Sequence, residues 1–274
     1  MKKVNIGVVK TGNIATSLVL ELLLDERADR DDISVRVISS GAKMTTTEAS
    51  DLLDEIGRYN PDIVLYATPN PSAPGPRSVI EFLKGRKTIV IGDSPGEKMA
   101  QTLSDYGMGY IFIRGDAMIG ARREFLDPTE MAIFNADMLK VLAVTGVFRL
   151  IQMEINKVIS ALKNGDNYLP NVIVKANTAL KHSGIKDVKA KDQAIEAYKI
   201  AEDVGKLNVR GCFIEKDPDK YISTVFKSHE LLSKAGKLAD EVRETENRKD
   251  CILRTPHYKD GTILRKRGLK NKLK

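Results

Sequence analysis

The chain has 274 residues, 42% of them apolar and 30% charged, with a formal net charge of +7. That length can bury one large core or two modest ones, and the balance excludes the disordered and membrane-embedded classes. The longest apolar region, 139–151, is broken by Lys140 and Arg149 and falls short of the ~20 residues a spanning helix needs. Met1-Lys2-Lys3 leads straight toward a strand rather than a cleavable apolar stretch. Two distant cysteines, Cys212 and Cys251, form no metal-type pair and fit a reducing cytoplasm. Six basic side chains in residues 265–274 account for six of the seven net charges, so the body is nearly neutral. The tail reads as a solvated terminus; weak RNA binding through it is the alternative, although no aromatic residue is interleaved for base stacking.

From the N-terminus, short β-branched runs alternate with amphipathic helices, the pattern of a parallel sheet with crossover helices. Strands are expected over 4–9, 33–39, 62–67, 88–91 and 110–113, and helices over 14–26 and 45–59, up to Gly85, and around 98–106. Right-handed crossovers place every strand-to-helix loop at one sheet edge, where ligands of such sheets bind. After Pro128, residues 129–164 read as one long helix, apolar nearly all round between Leu139 and Ile151, which requires burial on several sides. Gly146 within it points to close approach of another backbone. Further helices are expected over 187–207 and 219–247, and a short hairpin around Asp260-Gly261. The fold class is α/β: a Rossmann-like parallel sheet in 1–128, a helix bundle in 129–250, and a small C-terminal β segment with the basic tail in 251–274.

The loops at the sheet edge carry the candidate chemistry. Gly12-Asn13 runs from the first strand into a helix, where exposed N–H groups favour an anion. The same residues also read as a plain tight turn, and the glycine spacing is not the dinucleotide fingerprint. At the end of the second strand, where an NAD site wants an acid for the adenosine ribose, stands Ser39-Ser40-Gly41. The third loop, 68–76, holds four prolines, which stiffen it and pre-aim its remaining polar groups. Asp93 in the fourth loop reads equally as a helix cap. The fifth loop, 114–128, carries Arg122 and Arg123, suited to anionic ligands, with Glu124 beside them as a possible internal partner. His182, His229 and His257 lie outside these loops and read as surface or capping residues. No metal-spaced cluster, Gly-x-Ser-x-Gly elbow or Walker loop occurs, so acyl transfer, metal hydrolysis and ATP chemistry lose ground. Hydride transfer survives, because it needs aligned carriers more than a nucleophile.

Thr11-Gly12-Asn13, residues 22–30 (Leu-Leu-Leu-Asp-Glu-Arg-Ala-Asp-Arg), Pro69 to Pro76, Ile91 to Gly96 and Asp116 to Pro128 together resemble the coenzyme F420-dependent methylenetetrahydromethanopterin dehydrogenases of methanogenic and related archaea. Gly211-Cys-Phe213, His229-Glu230 and Leu253 to His257 extend the resemblance along the chain. It implies a reversible reaction between methylenetetrahydromethanopterin and the oxidised deazaflavin, a cleft site without metal or flavin, and a hexamer built as a trimer of dimers. On this resemblance Thr11, Gly12, Asn13, Pro69, Asn70, Pro71 and Asp93 are expected on the coenzyme side. Asp116, Ala117, Met118, Arg122 and Arg123 are expected on the pterin side. No catalytic side chain or metal is expected. A deazaflavin with a ribityl phosphate but no adenosine suits a phosphate-ready sheet that lacks the ribose acid. The remaining enzymatic alternative is an NAD(P)-dependent dehydrogenase of similar fold.

Overall fold

The structure, a computed structural model, describes residues 3–120 and 122–273; the start of the chain, Ala121 and Lys274 lie outside the described residues. Two compact units form, one from Met1–Ile113, Ile151–Ile173 and Pro256–Ile263, the other from Arg114–Leu150, Val174–Thr255 and Leu264–Lys274. They interleave along the chain, so the segments 129–250 and 251–274 each contribute to both.

The first unit is built on β1 (Val4–Lys10), β2 (Ile33–Ser39), β3 (Ile63–Ala67), β4 (Thr88–Gly92) and β5 (Gly109–Ile113). Its helices are α1 (Ala15–Leu24), α2 (Thr46–Tyr59), α3 (Pro74–Phe82) and the short α4 (Ala100–Asp105), which follows a 3-10 turn at Ser94–Met99. β3 and β4 are buried at every position, which is why they read as continuous apolar runs rather than alternating ones. Strand order is β2-β1-β3-β4-β5-β6, with β6 at Asn171–Val174, and the pairings from β2 to β5 are parallel. β6 is an unexpected edge strand: the Val172-Ile173-Val174 run behind Pro170 is short, and the Tyr110 N–H donates to the Pro170 carbonyl at 2.7 Å beside it.

This order reverses direction between β1 and β3. Chain growth runs one way from β1 to β2 and the other way from β3 to β6, and the crevice at such a switch point is where open α/β sheets hold ligands. The expected proline loop is shorter than nine residues, because Pro74 takes the first position of α3 and Pro76 the third. Their missing N–H groups fall among the donors that have no helical partner anyway.

A return segment closes the first unit. Asp32 is buried and paired with Arg30 at 2.9 Å and Lys163 at 3.0 Å. The two cations offset its burial and hold its carboxyl below the ordinary value. The Asn156 amide donates to the Gly261 carbonyl at 3.1 Å, fixing the Asp-Gly turn. The expected hairpin is present only as single antiparallel bridges, Arg254 with Lys266 and His257 with Ile263. His257 is buried beside Glu26 rather than on the surface.

In the second unit α5 (Pro128–Thr145), α8 (Val188–Val209) and α9 (Pro218–Arg248) pack as a bundle, with the short α7 (Ala176–Leu180) beside them. The long helix expected over 129–164 is in fact two, α5 and α6 (Val147–Asn164), broken at Gly146 with φ +98°. The break exists because another backbone passes there: a Cβ on Gly146 would lie 2.4 Å from the Ser183 amide nitrogen and 2.5 Å from the Ala179 carbonyl. Part of the basic tail is tied down too, Arg267 donating to the Gly184 and Cys251 carbonyls and the Leu269 N–H to Asp250. Among the described residues no single helix is long and apolar enough to cross a membrane.

Gly146→Ala is expected to destabilise the protein by about 2–4 kcal/mol, through left-handed strain and overpacking. Urea denaturation midpoints check it; a change within about 0.5 kcal/mol would show that the break does not depend on glycine.

Candidate functional site

At the switch point β1 ends and the chain turns at Thr11-Gly12-Asn13 into α1. The Thr11 N–H donates to the Ala67 carbonyl at 3.1 Å, so the turn is stitched to the end of β3. Below it the Thr11 hydroxyl and the Tyr66 phenol share a buried hydrogen bond of 2.7 Å. Burial raises the Tyr66 phenol above its ordinary value, with the neighbouring Thr11 and Thr68 hydroxyls pulling the other way. The Thr68 hydroxyl is itself enclosed and has no hydrogen-bond partner of good geometry among the described residues. Gly12 has φ +76°, and a Cβ there would lie 2.7 Å from the Met44 sulfur and 2.9 Å from the Pro69 ring. Only glycine permits both the left-handed turn and those neighbours. The Asn13 carboxamide, half-buried at this corner, has no partner among the described residues.

The opposite wall of the crevice is the loop after β3. Pro69 and Pro71 are buried, and Asn70 is half-buried. The Asn70 side-chain oxygen accepts from the Ser72 N–H at 3.1 Å and the Ser72 hydroxyl at 2.7 Å, which orients its amide; the NH2 group has no partner among the described residues. Pro71 packs where a side chain on Gly92 would stand, next to Asp93. Asp93 is buried and accepts from the Ser94 N–H, capping the 3-10 turn. Ser39 pairs with Lys10 at the same sheet edge. The Ser40 hydroxyl donates to the Lys43 carbonyl at 2.7 Å, closing the turn where an adenosine-ribose acid would be needed. The seven expected coenzyme residues thus fall on three neighbouring loops of one edge. Tyr66, Thr68 and Met44 join them unannounced. Tyr66 was hidden inside an apolar strand, and Met44 lies in a loop without a motif.

The second unit holds the other group. The Gly115 N–H donates to the Tyr198 phenol oxygen at 3.2 Å, and that phenol donates to the Val174 carbonyl at 2.7 Å. Asp116 and Ala117 are buried and Met118 is half-buried, its carbonyl accepting from the Asn208 amide at 2.7 Å. Arg122 is committed locally: Nε donates to the Gly211 carbonyl at 2.8 Å, Nη2 to Glu215, and the guanidinium stacks 4.0 Å over the Tyr221 ring. The Gly211 carbonyl belongs to a π-helical turn, Arg210–Ile214, at the end of α8, and the Glu215 carbonyl caps it; such turns recur at functional positions. Arg123 is exposed. Glu124 pairs with neither arginine but accepts from the Tyr221 hydroxyl at 2.9 Å. Its carboxyl is held low first by its own backbone N–H, then by Tyr221 and the two arginines.

His229 departs from the surface role expected of it. Its ring packs between Phe125 and Phe134, each 5.3 Å away, and its Nε2 is enclosed without a hydrogen-bond partner among the described residues. Burial holds the imidazole below its ordinary value, Glu130 opposing weakly. Among the described residues no group of three His, Cys, Asp or Glu side chains is placed to hold a metal.

A sequence profile described as methylene-5,6,7,8-tetrahydromethanopterin dehydrogenase matches residues 4–274. The chain is 50% identical to the F420-dependent methylenetetrahydromethanopterin dehydrogenase of Archaeoglobus fulgidus, over 97% of each chain. The protein of the same name from Methanocaldococcus jannaschii is 45% identical, over 98% of this chain and 99% of that one. A solved structure of an F420 dependent methylene-tetrahydromethanopterin dehydrogenase, in complex with methylene-tetrahydromethanopterin and coenzyme F420, superposes with a TM-score of 0.95 at 41% identity, covering 100% of both chains.

Because the folded state disfavours the His229 cation, the unfolded chain takes up the proton first. The stability contributed is complete above the unfolded pKa of ~6.5 and is lost as pH falls from there through the lower folded value. His229→Phe is therefore expected to flatten the decline in unfolding free energy between about pH 7 and 5.5. Chemical denaturation across that range reads it; an unchanged slope would mean the imidazole is not held neutral.

Proposed function

We infer that this chain, which belongs to the methylene-5,6,7,8-tetrahydromethanopterin dehydrogenase family, reversibly transfers hydride between methylenetetrahydromethanopterin and the deazaflavin coenzyme F420. The methenyl form and the reduced coenzyme are the products. The observation that carries the reading is a switch-point crevice with an anion-ready turn at Gly12-Asn13, a proline wall, and serine where an adenosine clamp would stand. A coenzyme with a phosphate tail and no adenosine fits that combination, and an NAD(P)-type dinucleotide does not.

Thr11, Gly12 and Asn13 hold the phosphate side, with the free Asn13 amide and backbone N–H groups as donors. Pro69 and Pro71 give a stiff apolar surface for a flat ring, Asn70 offers its amide, and Asp93 fixes the floor of the neighbouring loop. When bound, the deazaflavin supplies the ring carbon that accepts or returns the hydride. Asp116, Ala117 and Met118 shape the pterin side, Arg122 braces that loop against the π turn, and exposed Arg123 steers the acidic tail of the substrate. The methenyl product is a cation shared by two nitrogens, so hydride departure needs no strong base. The side chains act by positioning both carriers and keeping water out. A homohexamer assembled as a trimer of dimers, working in the cytoplasm, belongs to the same reading. Exposed Phe213, Ile214 and Phe226 in the second unit support further assembly.

Adding the methylene substrate to purified protein with oxidised deazaflavin is expected to bleach the coenzyme absorption, while NAD(P) in its place gives no turnover. Turnover with NAD(P) alone would overturn the assignment. Arg122→Ala, by loosening the loop it braces, is expected to raise KM for the pterin more than it lowers kcat; the opposite split would move Arg122 from positioning the loop into chemistry.

A further inference from the structure

Away from the residues assigned to either carrier, the second unit gathers four arginines. Arg149 stands in the first turn of α6, Arg243 on α9, and Arg254 and Arg267 on the two arms of the C-terminal segment. Three of them grip neutral backbone. Arg149 donates to the Ser183 carbonyl at 2.6 Å, His182 at 3.2 Å and Leu253 at 3.0 Å. Arg267 donates to Cys251 at 2.7 Å and Gly184 at 2.9 Å, and Arg254 to the Arg267 carbonyl at 2.5 Å. Arg243 makes no hydrogen bond or ion pair among the described residues.

Among the described residues the cluster is short of negative charge. Burial, then the charges of Arg243 and Arg267, lower Arg149 to about 10, with no carboxylate acting in the other direction. Arg243, exposed on α9, is lowered by partial desolvation and by Arg254. Glu246 reaches Arg267 electrostatically, but it already accepts from the Lys186 and Asp187 N–H groups and the Cys251 thiol. Carbonyl dipoles soften like-charge repulsion without cancelling it, and guanidinium forks match oxyanions two bonds at a time.

We propose that Arg149, Arg243, Arg254 and Arg267 form a binding site for a multiply charged oxyanion of the phosphate or diphosphate class. Arg243 supplies the uncommitted fork, and the other three supply field and framework. An anion there ties α9 to residues 182–184, 251–254 and 267, so its occupancy stabilises the C-terminal segment by mass action. The site is independent of the hydride-transfer reading, because its test needs neither carrier.

The test is thermal unfolding and calorimetric titration of the whole chain with inorganic pyrophosphate, against potassium chloride at equal ionic strength. Pyrophosphate is expected to raise Tm saturably above the chloride control. Arg243→Gln is expected to raise Tm without pyrophosphate, by relieving repulsion, and to weaken pyrophosphate binding about ten-fold or more, the loss of one charge-assisted pair. Arg58→Gln, on exposed α2, should leave the affinity unchanged. Equal effects of pyrophosphate and chloride would overturn the proposal, as would undiminished binding by Arg243→Gln or an equal loss in Arg58→Gln. So would a lower Tm for Arg243→Gln without anion, which would mean that the cluster already faces negative charge, such as carboxylates of a second copy.

Discussion

Between the ends of β1 and β3 the Thr11 hydroxyl and the Tyr66 phenol share one hydrogen bond in a space closed to water. The two strands are neighbours across the point where the sheet reverses its order, so this bond and the Thr11 N–H to Ala67 contact fix the floor of the crevice. Losing either partner would strand a buried hydroxyl, a penalty of about 1–3 kcal/mol. With the floor fixed, Gly12 must turn left-handed under Met44 and against Pro69, and Asn13 is delivered to the rim with an amide that has no partner among the described residues. The proline wall is then a boundary whose position the sheet register already sets.

A reaction that moves hydride between two carriers asks for such constraints and for little acid–base chemistry. The second unit meets the same demand by different means. Among the described residues of its 114–127 loop the only regular structure is a three-residue 3-10 turn, Arg123–Phe125, and the loop is held by side chains: Tyr198 under Gly115, Asn208 on the Met118 carbonyl, and Arg122 clasping the π turn. Arg122 is thereby a brace for that loop, and its exposed neighbour Arg123 is the freer charge. His229, enclosed between Phe125 and Phe134, keeps a neutral polar atom beside that loop.

Much of this was legible in the chain. Strands β1 to β5 followed from β-branched runs, and the edge loops followed from where those runs stop, so the residues expected on the coenzyme side lie on neighbouring loops of one edge. What was not legible depends on distant partners. The helix break at Gly146 is imposed by residues 179–183: the glycine signals that another backbone comes close, but the apolar pattern over 129–164 runs on through it and carries no sign that the helix ends there. β6 is four residues long and gains its place from β5. Tyr66 looked like one more apolar strand residue until Thr11 was seen above it. His229 reads as a surface group because its two aromatic neighbours, Phe125 and Phe134, lie 104 and 95 residues upstream in sequence. The basic tail read as solvated because the carbonyls that Arg267 and Arg254 grip are set by tertiary structure.

The account stands on the switch-point crevice being the coenzyme's seat. A crystal structure of this protein with the deazaflavin bound tests that directly. The account predicts the ribityl phosphate within hydrogen-bond reach of the Gly12-Asn13 turn and the ring against Pro69 and Pro71. Density for the coenzyme elsewhere, with that turn and the proline wall untouched, would contradict it.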